Sequence, residues 1–118
     1  MPIRLNLLVI RSPDIDRAVA VYEAIGLSLT KHAHGRGPEH HATELDGGAV
    51  FEIYPLANDG IVTTATRLGF VVPSVDDAVE AAVAAGATVS VAPKESPWGR
   101  RAVIVDLGGH KVELVGAG

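Results

Sequence analysis

Sliding the 118-residue chain along itself by 60 places lays Pro13-Asp14-Ile15-Asp16-Arg17-Ala18-Val19 over Pro73-Ser74-Val75-Asp76-Asp77-Ala78-Val79, and Ala24-Ile25-Gly26 over Ala84-Ala85-Gly86. Further along, the offset becomes 61, and Gly47-Gly48-Ala49-Val50-Phe51-Glu52-Ile53 lies over Gly108-Gly109-His110-Lys111-Val112-Glu113-Leu114. A change of one residue is what a loop insertion produces. The chain therefore reads as two copies of one unit, about 4–55 and 65–116, within a single domain spanning 1–118. Pro55 to Ala65, carrying Asn58-Asp59-Gly60, is the linker.

Each copy shows the same internal order. Leu5 to Ile10 and Leu68 to Val72 are apolar runs of strand length, and each precedes a helix start. Asp14 and Ser74 fit the N-cap, with Asp16, Asp76 and Asp77 in the first turn, where the helix dipole favours negative charge. Ile15, Ala18, Val19 and Tyr22, and again Val75, Ala78, Val79 and Ala82, recur at i, i+3, i+4, i+7 and form one apolar helix face. Gly26 and Gly86 are placed to end the helices. Ser28 to His34 and Thr88 to Ala92 read as second strands, and His40 to Leu45 and Arg101 to Asp106 as third strands. Tight Gly-Gly turns then lead into Val50 to Tyr54 and Lys111 to Val115. The fold class is α+β, two βαβββ modules. One helix covers one face of each sheet, so the sheets are expected to form a curved cleft with their other faces, and such a hollow is a binding surface.

Composition removes several classes of function. Ten Lys and Arg against 14 Asp and Glu give a formal charge of −4, and the longest basic cluster is Arg100-Arg101, so no nucleic acid partner is expected. No apolar run approaches the roughly 20 residues of a membrane span, so no membrane partner is expected either. Without cysteine there is no disulfide framework or thiolate metal site, and the start, Met1-Pro2-Ile3-Arg4-Leu5, lacks the features of an export signal. The expected location is cytoplasmic. With five aromatic residues in all, the core must be built from Val, Ile, Leu and Ala.

Asp14 to Tyr22 followed by Gly26-Leu27, then Phe51-Glu52-Ile53, Pro97-Trp98-Gly99-Arg100-Arg101 and Asp106 to Leu114 together resemble the vicinal oxygen chelate superfamily. That superfamily includes glyoxalase I, bleomycin-resistance proteins, fosfomycin-resistance enzymes and extradiol dioxygenases. The resemblance covers nearly the whole chain and implies a homodimer binding a small molecule. In catalytic members it also implies a divalent metal held by His or Gln from the first strand and Glu from the last strand of each module.

The last-strand positions match that pattern in Glu52 and Glu113, which period-two alternation sends to the cleft as the candidate catalytic carboxylates. The first-strand positions do not. Leu7 and Arg67 fall there, and neither a hydrocarbon nor a protonated guanidinium can bind a metal. A register slip of one offers only Asn6 and Thr66, weak oxygen ligands. The expectation is thus a cleft with no cofactor, lined by Leu7, His40, Tyr54, Arg67, Trp98 and Arg101 as ligand-binding residues. Arg67 is expected either to form an ion pair with Glu52 or Glu113 or to bind a ligand acceptor.

The alternative is a divalent metal on Glu52, Glu113 and a third-strand histidine, His40 or His41, in a lyase, isomerase or dioxygenase. A third reading keeps the duplicated fold only as an interaction module. His110, after a Gly-Gly turn, is expected to be exposed, and the loop His34 to His40 is either a lid on the cleft or a plain hairpin connection.

Overall fold

The computed structural model describes residues 2–33 and 35–117; Met1, His34 and Gly118 lie outside the described residues. Its elements run β1 (Leu7–Ser12), α1 (Ile15–Ala24), β2 (Thr30–His32), β3 (His40–Glu44), β4 (Val50–Pro55), β5 (Leu68–Val72), α2 (Val75–Ala84), β6 (Thr88–Ser96), β7 (Gly99–Val105) and β8 (Lys111–Gly116). The repeat is therefore real at the level of structure. The first sheet has the order β1-β4-β3-β2 and the second the order β5-β8-β7-β6. In each, the first strand runs parallel to the last and the remaining neighbours are antiparallel.

The helices begin and end where local chemistry requires. The Asp14 carboxylate accepts the Arg17 N–H and the Ser74 hydroxyl accepts the Asp77 N–H, both at 3.2 Å, so each cap satisfies one of the backbone donors a helix start leaves free. Gly26 (φ 121°) and Gly86 (φ 113°) follow the last helical turns in the left-handed region, where a side chain would be strained. The apolar stripes sink inward. Ala18, Val19, Val21 and Tyr22 are buried on α1, and Val75, Ala78, Val79 and Ala82 on α2.

Three strands, β1, β2 and β6, depart most from their expected extents. β1 starts at Leu7 and runs on to Ser12, leaving Leu5 exposed. It follows β4, which pairs with it from Leu7↔Val50 to Ser12↔Pro55. β2 shrinks to Thr30–His32, all exposed, because an edge strand without an apolar side chain has nothing to bury; of the expected range, His34 lies outside the described residues. β6 lengthens to Ser96. The Ser96 hydroxyl donates to the Gly99 carbonyl (2.6 Å) and accepts the Trp98 N–H (3.2 Å), which holds the β6–β7 hairpin closed, while two register shifts absorb the strand's irregularity.

The modules meet on their helix-bearing sides. α1 packs on α2, and three of the five aromatic residues gather at the seam: Tyr22 lies 5.1 Å from Phe51 and 6.2 Å from Phe70, and Phe51 lies 5.7 Å from Phe70. Tilted aromatic contacts of this kind contribute about 0.5–1.5 kcal/mol each beyond area burial.

The seam also carries a buried polar node. The Tyr22 hydroxyl donates to Asp106 Oδ2 at 2.6 Å, across 84 residues of sequence. Asp106 Oδ1 accepts the backbone N–H groups of Gly108, Gly109 and His110 at 2.9–3.0 Å, and His110 Nδ1 stands 3.0 Å from Oδ2. An ionised carboxylate only accepts, so the proton lies on Nδ1. On the far side of the ring, Nε2 is 2.7 Å from Thr63 Oγ1, which also accepts the Arg11 backbone N–H at 3.0 Å. His110 is thus fully buried rather than exposed after its turn, because Asp106 captures it from both main chain and side chain.

Burial alone would raise the Asp106 carboxyl, but hydrogen bonds from the His110 ring, the Tyr22 hydroxyl and the His110 N–H outweigh it and hold the carboxyl below its ordinary range. Tyr22 is pushed far above its ordinary value by burial, and further by the Asp106 charge and hydrogen bond.

The signs follow from linkage. The depressed Asp106 carboxyl confers stability that is complete above the unfolded carboxyl range and is lost as pH falls below about 4; the raised Tyr22 hydroxyl confers stability that is lost as pH climbs past about 10. Thermal melts across pH should show both flanks, and Tyr22→Phe should remove the alkaline one at a cost of about 1–2 kcal/mol near neutrality. Asp106→Asn, which keeps the shape but sets an amide nitrogen against existing donors, should cost about 2–4 kcal/mol.

Candidate functional site

Each sheet turns one face to its helix and leaves the other open, and strand register arranges the open-face side chains in rows. On the first sheet, the residues opposite the buried Ile10, Phe51 and Ile53 are Leu7, Val9 and Arg11 on β1, Val50, Glu52 and Tyr54 on β4, and His40, Ala42 and Glu44 on β3. One row runs His32, His40, Tyr54, Arg11, one residue from each strand. It is a stack. His32 and His40 have ring centroids 5.8 Å apart, His40 and Tyr54 lie 4.3 Å apart and nearly parallel at 4°, and the Arg11 guanidinium sits 5.2 Å from the Tyr54 ring centre. The adjoining row holds Val9, Glu52 and Ala42.

The second sheet repeats this grid with different chemistry. Gly69, Glu113 and Val103 take the places of Val9, Glu52 and Ala42, while Val71, Val115 and Arg101 take those of Arg11, Tyr54 and His40. Both glutamates hold the same position, as alternation requires, and each is met by a basic side chain from the third strand of its own module. His40 Nε2 lies 3.5 Å from Glu52 Oε2, its Nδ1–H directed to the Pro38 carbonyl at 3.3 Å. Arg101 engages Glu113 with two prongs, Nε to Oε1 at 3.2 Å and Nη2 to Oε2 at 3.3 Å. Two parallel donors hold a carboxylate in orientation as well as in place.

The second sheet's open face forms a hollow of about 590 Å³ lined by Val71, Trp98, Arg101, Glu113, Val115 and Gly116, all from the second module. Trp98 and Val71 stand more than 70% exposed on its rim, above a floor made by the Arg101–Glu113 pair. A second, larger hollow of about 820 Å³ lies between the modules, lined by 26–28, 43–46, 69–73 and Ala117, and neither Glu52 nor Glu113 borders it.

The structure thus brings together Glu52, His40 and Tyr54 on one sheet, and Glu113, Arg101 and Trp98 on the other. Leu7 lies on the first open face, half exposed at the sheet edge. Two expectations need correction. Arg67 is paired with neither glutamate: it is exposed, it makes no ion pair among the described residues, and it precedes β5, beyond that strand's pairing with β8. Arg101, diagonal to Glu113 on the neighbouring strand, takes the role. His41 does not reach Glu52 either. It stands opposite Ile53 on the helix side of the sheet, with both ring nitrogens buried and without a partner among the described residues.

Arg11 was not anticipated as a site residue. Its signal was available, since it shares the parity of Leu7 on a strand whose first four residues are apolar.

As one chain presents them, these residues do not fit a resident metal. Among the described residues no three of His, Asp and Glu converge, Leu7 and Arg67 donate nothing, and each glutamate already faces a base.

The Arg101–Glu113 pair is partly solvated, so Arg101→Met should change folding stability by less than about 1 kcal/mol in thermal melts. This leaves the variant usable as a probe of binding.

Solved structures with the same fold include a glyoxalase-related enzyme from Fulvimarina pelagi, 19% identical with a TM-score of 0.75 over 96% of this chain and 87% of that one. TnmS3, an antibiotic binding protein from Streptomyces sp. CB03234, is 21% identical with a TM-score of 0.75 over 98% and 96% of the two chains. A glyoxalase/bleomycin resistance protein/dioxygenase family enzyme from Burkholderia phytofirmans PsJN is 22% identical with a TM-score of 0.70 over 94% and 96%. At such identities the likeness concerns the fold. No curated protein matches the chain. The family model of the Glyoxalase/Bleomycin resistance protein/Dioxygenase superfamily matches residues 4–114, and with the paired βαβββ modules and their two equivalent glutamates on the page, the chain belongs to that superfamily, the vicinal oxygen chelate proteins.

Proposed function

We propose that this protein binds a small organic molecule on the open faces of its two sheets, without a resident metal, and that it works as a cytoplasmic homodimer whose copies close over one another's open faces. The observation that carries the reading is the Arg101–Glu113 pair at the floor of a hollow walled by Trp98, Val71 and Val115. A site needs an apolar wall to take up the body of a ligand and a few fixed polar atoms to orient it. Glu113 holds acceptor capacity beyond its two bonds to Arg101 and can receive a ligand N–H or O–H, while Arg101 has further N–H donors for a ligand oxygen. The Trp98 indole offers a flat surface.

The dimer rests on where the modules meet within one chain. They join by their helix sides, so Leu7, Val71 and Trp98 stay open to solvent on faces that a second copy would cover. No helix is long and apolar enough to cross a membrane. The relative TnmS3 is described as an antibiotic binding protein, which favours the same class of ligand here.

A second reading is favoured by His40 beside Glu52. If two chains bring Glu52 and Glu113 together, these three residues make a ligand set for a metal-dependent lyase, isomerase or dioxygenase.

Elemental analysis of protein purified without chelator or affinity resin separates the two. Sub-stoichiometric metal, with no thermal shift on adding Ni, Zn, Mn or Fe(II), is the expected result. Stoichiometric metal that disappears in Glu52→Gln would replace the first reading by the second. Sedimentation should give twice the 12.2 kDa chain mass.

A further inference from the structure

We infer that Arg11 anchors an anionic group, so that the molecule taken up by the open faces is an organic anion with a flat apolar body. The inference rests on the proposed binding function of those faces. It goes further in naming the ligand class and a residue the sequence reading passed over.

Charge is divided unevenly between the two sides of the sheets. Register places Arg11, Lys94, Arg101 and Lys111 on the open faces, against Glu44, Glu52 and Glu113. Strand pairing puts four of the chain's ten basic residues but only three of its 14 acids there, so a chain of formal charge −4 presents a surplus of positive charge where a ligand would enter. Such a field concentrates anions and repels cations.

The acids on these faces do not cancel the surplus evenly. Glu113 is held by Arg101 and Glu52 faces His40, whereas Arg11 has no carboxylate within ion-pair distance among the described residues.

Arg11 differs from Arg67, an exposed arginine that precedes β5 and also makes no ion pair among the described residues, in being braced. Its backbone N–H is bound by Thr63 Oγ1 at 3.0 Å, one Nη1–H reaches the Pro55 carbonyl at 3.4 Å, and its guanidinium lies against the Tyr54 ring, itself stacked on His40. Thr63 is tied to the Asp106–His110 node, so the main chain of β1 at Arg11 is fixed from the centre of the molecule. A guanidinium has five N–H donors in a planar fork, and only one is used here. Carboxylate, sulfonate or phosphonate oxygens match the remaining donors in pairs, and a group already held in place loses little further freedom on binding. The half-buried Tyr54 alongside gives the flat body an aromatic contact, while His40 is itself buried behind it in the stack.

The test compares 2-naphthoate with its neutral isostere 2-naphthamide by NMR titration of the full chain, with assigned Tyr54 and Trp98 side-chain resonances, in the wild type, Arg11→Met, Arg11→Lys and, as a control on the exposed side of α1, Arg17→Met. The expected result is that naphthoate binds tighter than naphthamide by about tenfold or more and shifts the Tyr54 ring. In Arg11→Met the difference should collapse with naphthamide affinity unchanged; Arg11→Lys should restore part of it and Arg17→Met should leave it intact. Because the contact to Thr63 is made by the main chain, all three variants retain it, and thermal melts check that they fold. Equal affinity for both probes, or a preference for naphthoate that survives Arg11→Met, overturns the anchor while leaving the open faces as the binding surface. Shifts confined to residues away from both open faces overturn the anchor together with the reading it rests on.

Discussion

A buried carboxylate organises this molecule. Asp106 closes the turn between the last two strands of its own module through three backbone N–H groups, receives the hydroxyl of Tyr22 from the other module, and holds the His110 ring that in turn reaches the linker at Thr63. A charge taken out of water is tolerated only where its lone pairs are fully used, and once they are used the geometry around it has little freedom. The hydrophobic seam of Tyr22, Phe51 and Phe70 would hold the modules together by itself, but apolar contact is non-directional. The polar node adds direction. From it the path through Thr63 to the Arg11 backbone leads to the open face, so the part of the molecule that binds is positioned by the part that folds.

The two halves show how a duplicated unit acquires different surfaces without changing its frame. The turn between third and fourth strands is the same in both: the Leu45 N–H binds the Ala49 carbonyl in the first module and the Asp106 N–H binds the His110 carbonyl in the second. In the first copy those positions are apolar. In the second they are an acid and an imidazole, and the seam acquires its polar node only there. The open faces diverge in the same manner. The glutamate is kept in both, while its partner is His40 in one and Arg101 in the other, and Leu7 of β1 corresponds to Arg67 just before β5. One face becomes an aromatic row with a braced arginine, the other a hydrocarbon-walled hollow over an ion pair.

Much of this architecture could be read directly because the governing rules are local. Caps at Asp14 and Ser74 and glycines at 26 and 86 bound the helices within a turn or two of chain. Alternation along β4 and β8 sent Glu52 and Glu113 to the face opposite Phe51 and Val112 without reference to any other strand. Failures occurred where a partner lies far away in sequence or across strands. His110 was misplaced because a Gly-Gly turn ordinarily leads to solvent, and its captor Asp106 was not recognised as a buried acid. The one hint was Tyr22 on a buried helix face, whose hydroxyl needs a partner somewhere. Arg67 was matched with the glutamates because alternation extended back along the first strand put it on their face, but β5 begins only at Leu68, and the side chain diagonal to Glu113 belongs to β7.

The sequence alone determined the duplication, the order of elements in each copy, the helix limits and the side of β4 and β8 on which Glu52 and Glu113 lie, since these depend on offsets, capping chemistry and a two-residue period carried within short stretches of chain. Only the tertiary structure decided which base meets which glutamate, how far β2 and β6 extend, and that Tyr22, Asp106, His110, Thr63 and Arg11 form one connected set. Those outcomes depend on strand order, on register set by turns and bulges, and on contacts between residues as distant as 22 and 106, where the chain has no local pattern to carry the information.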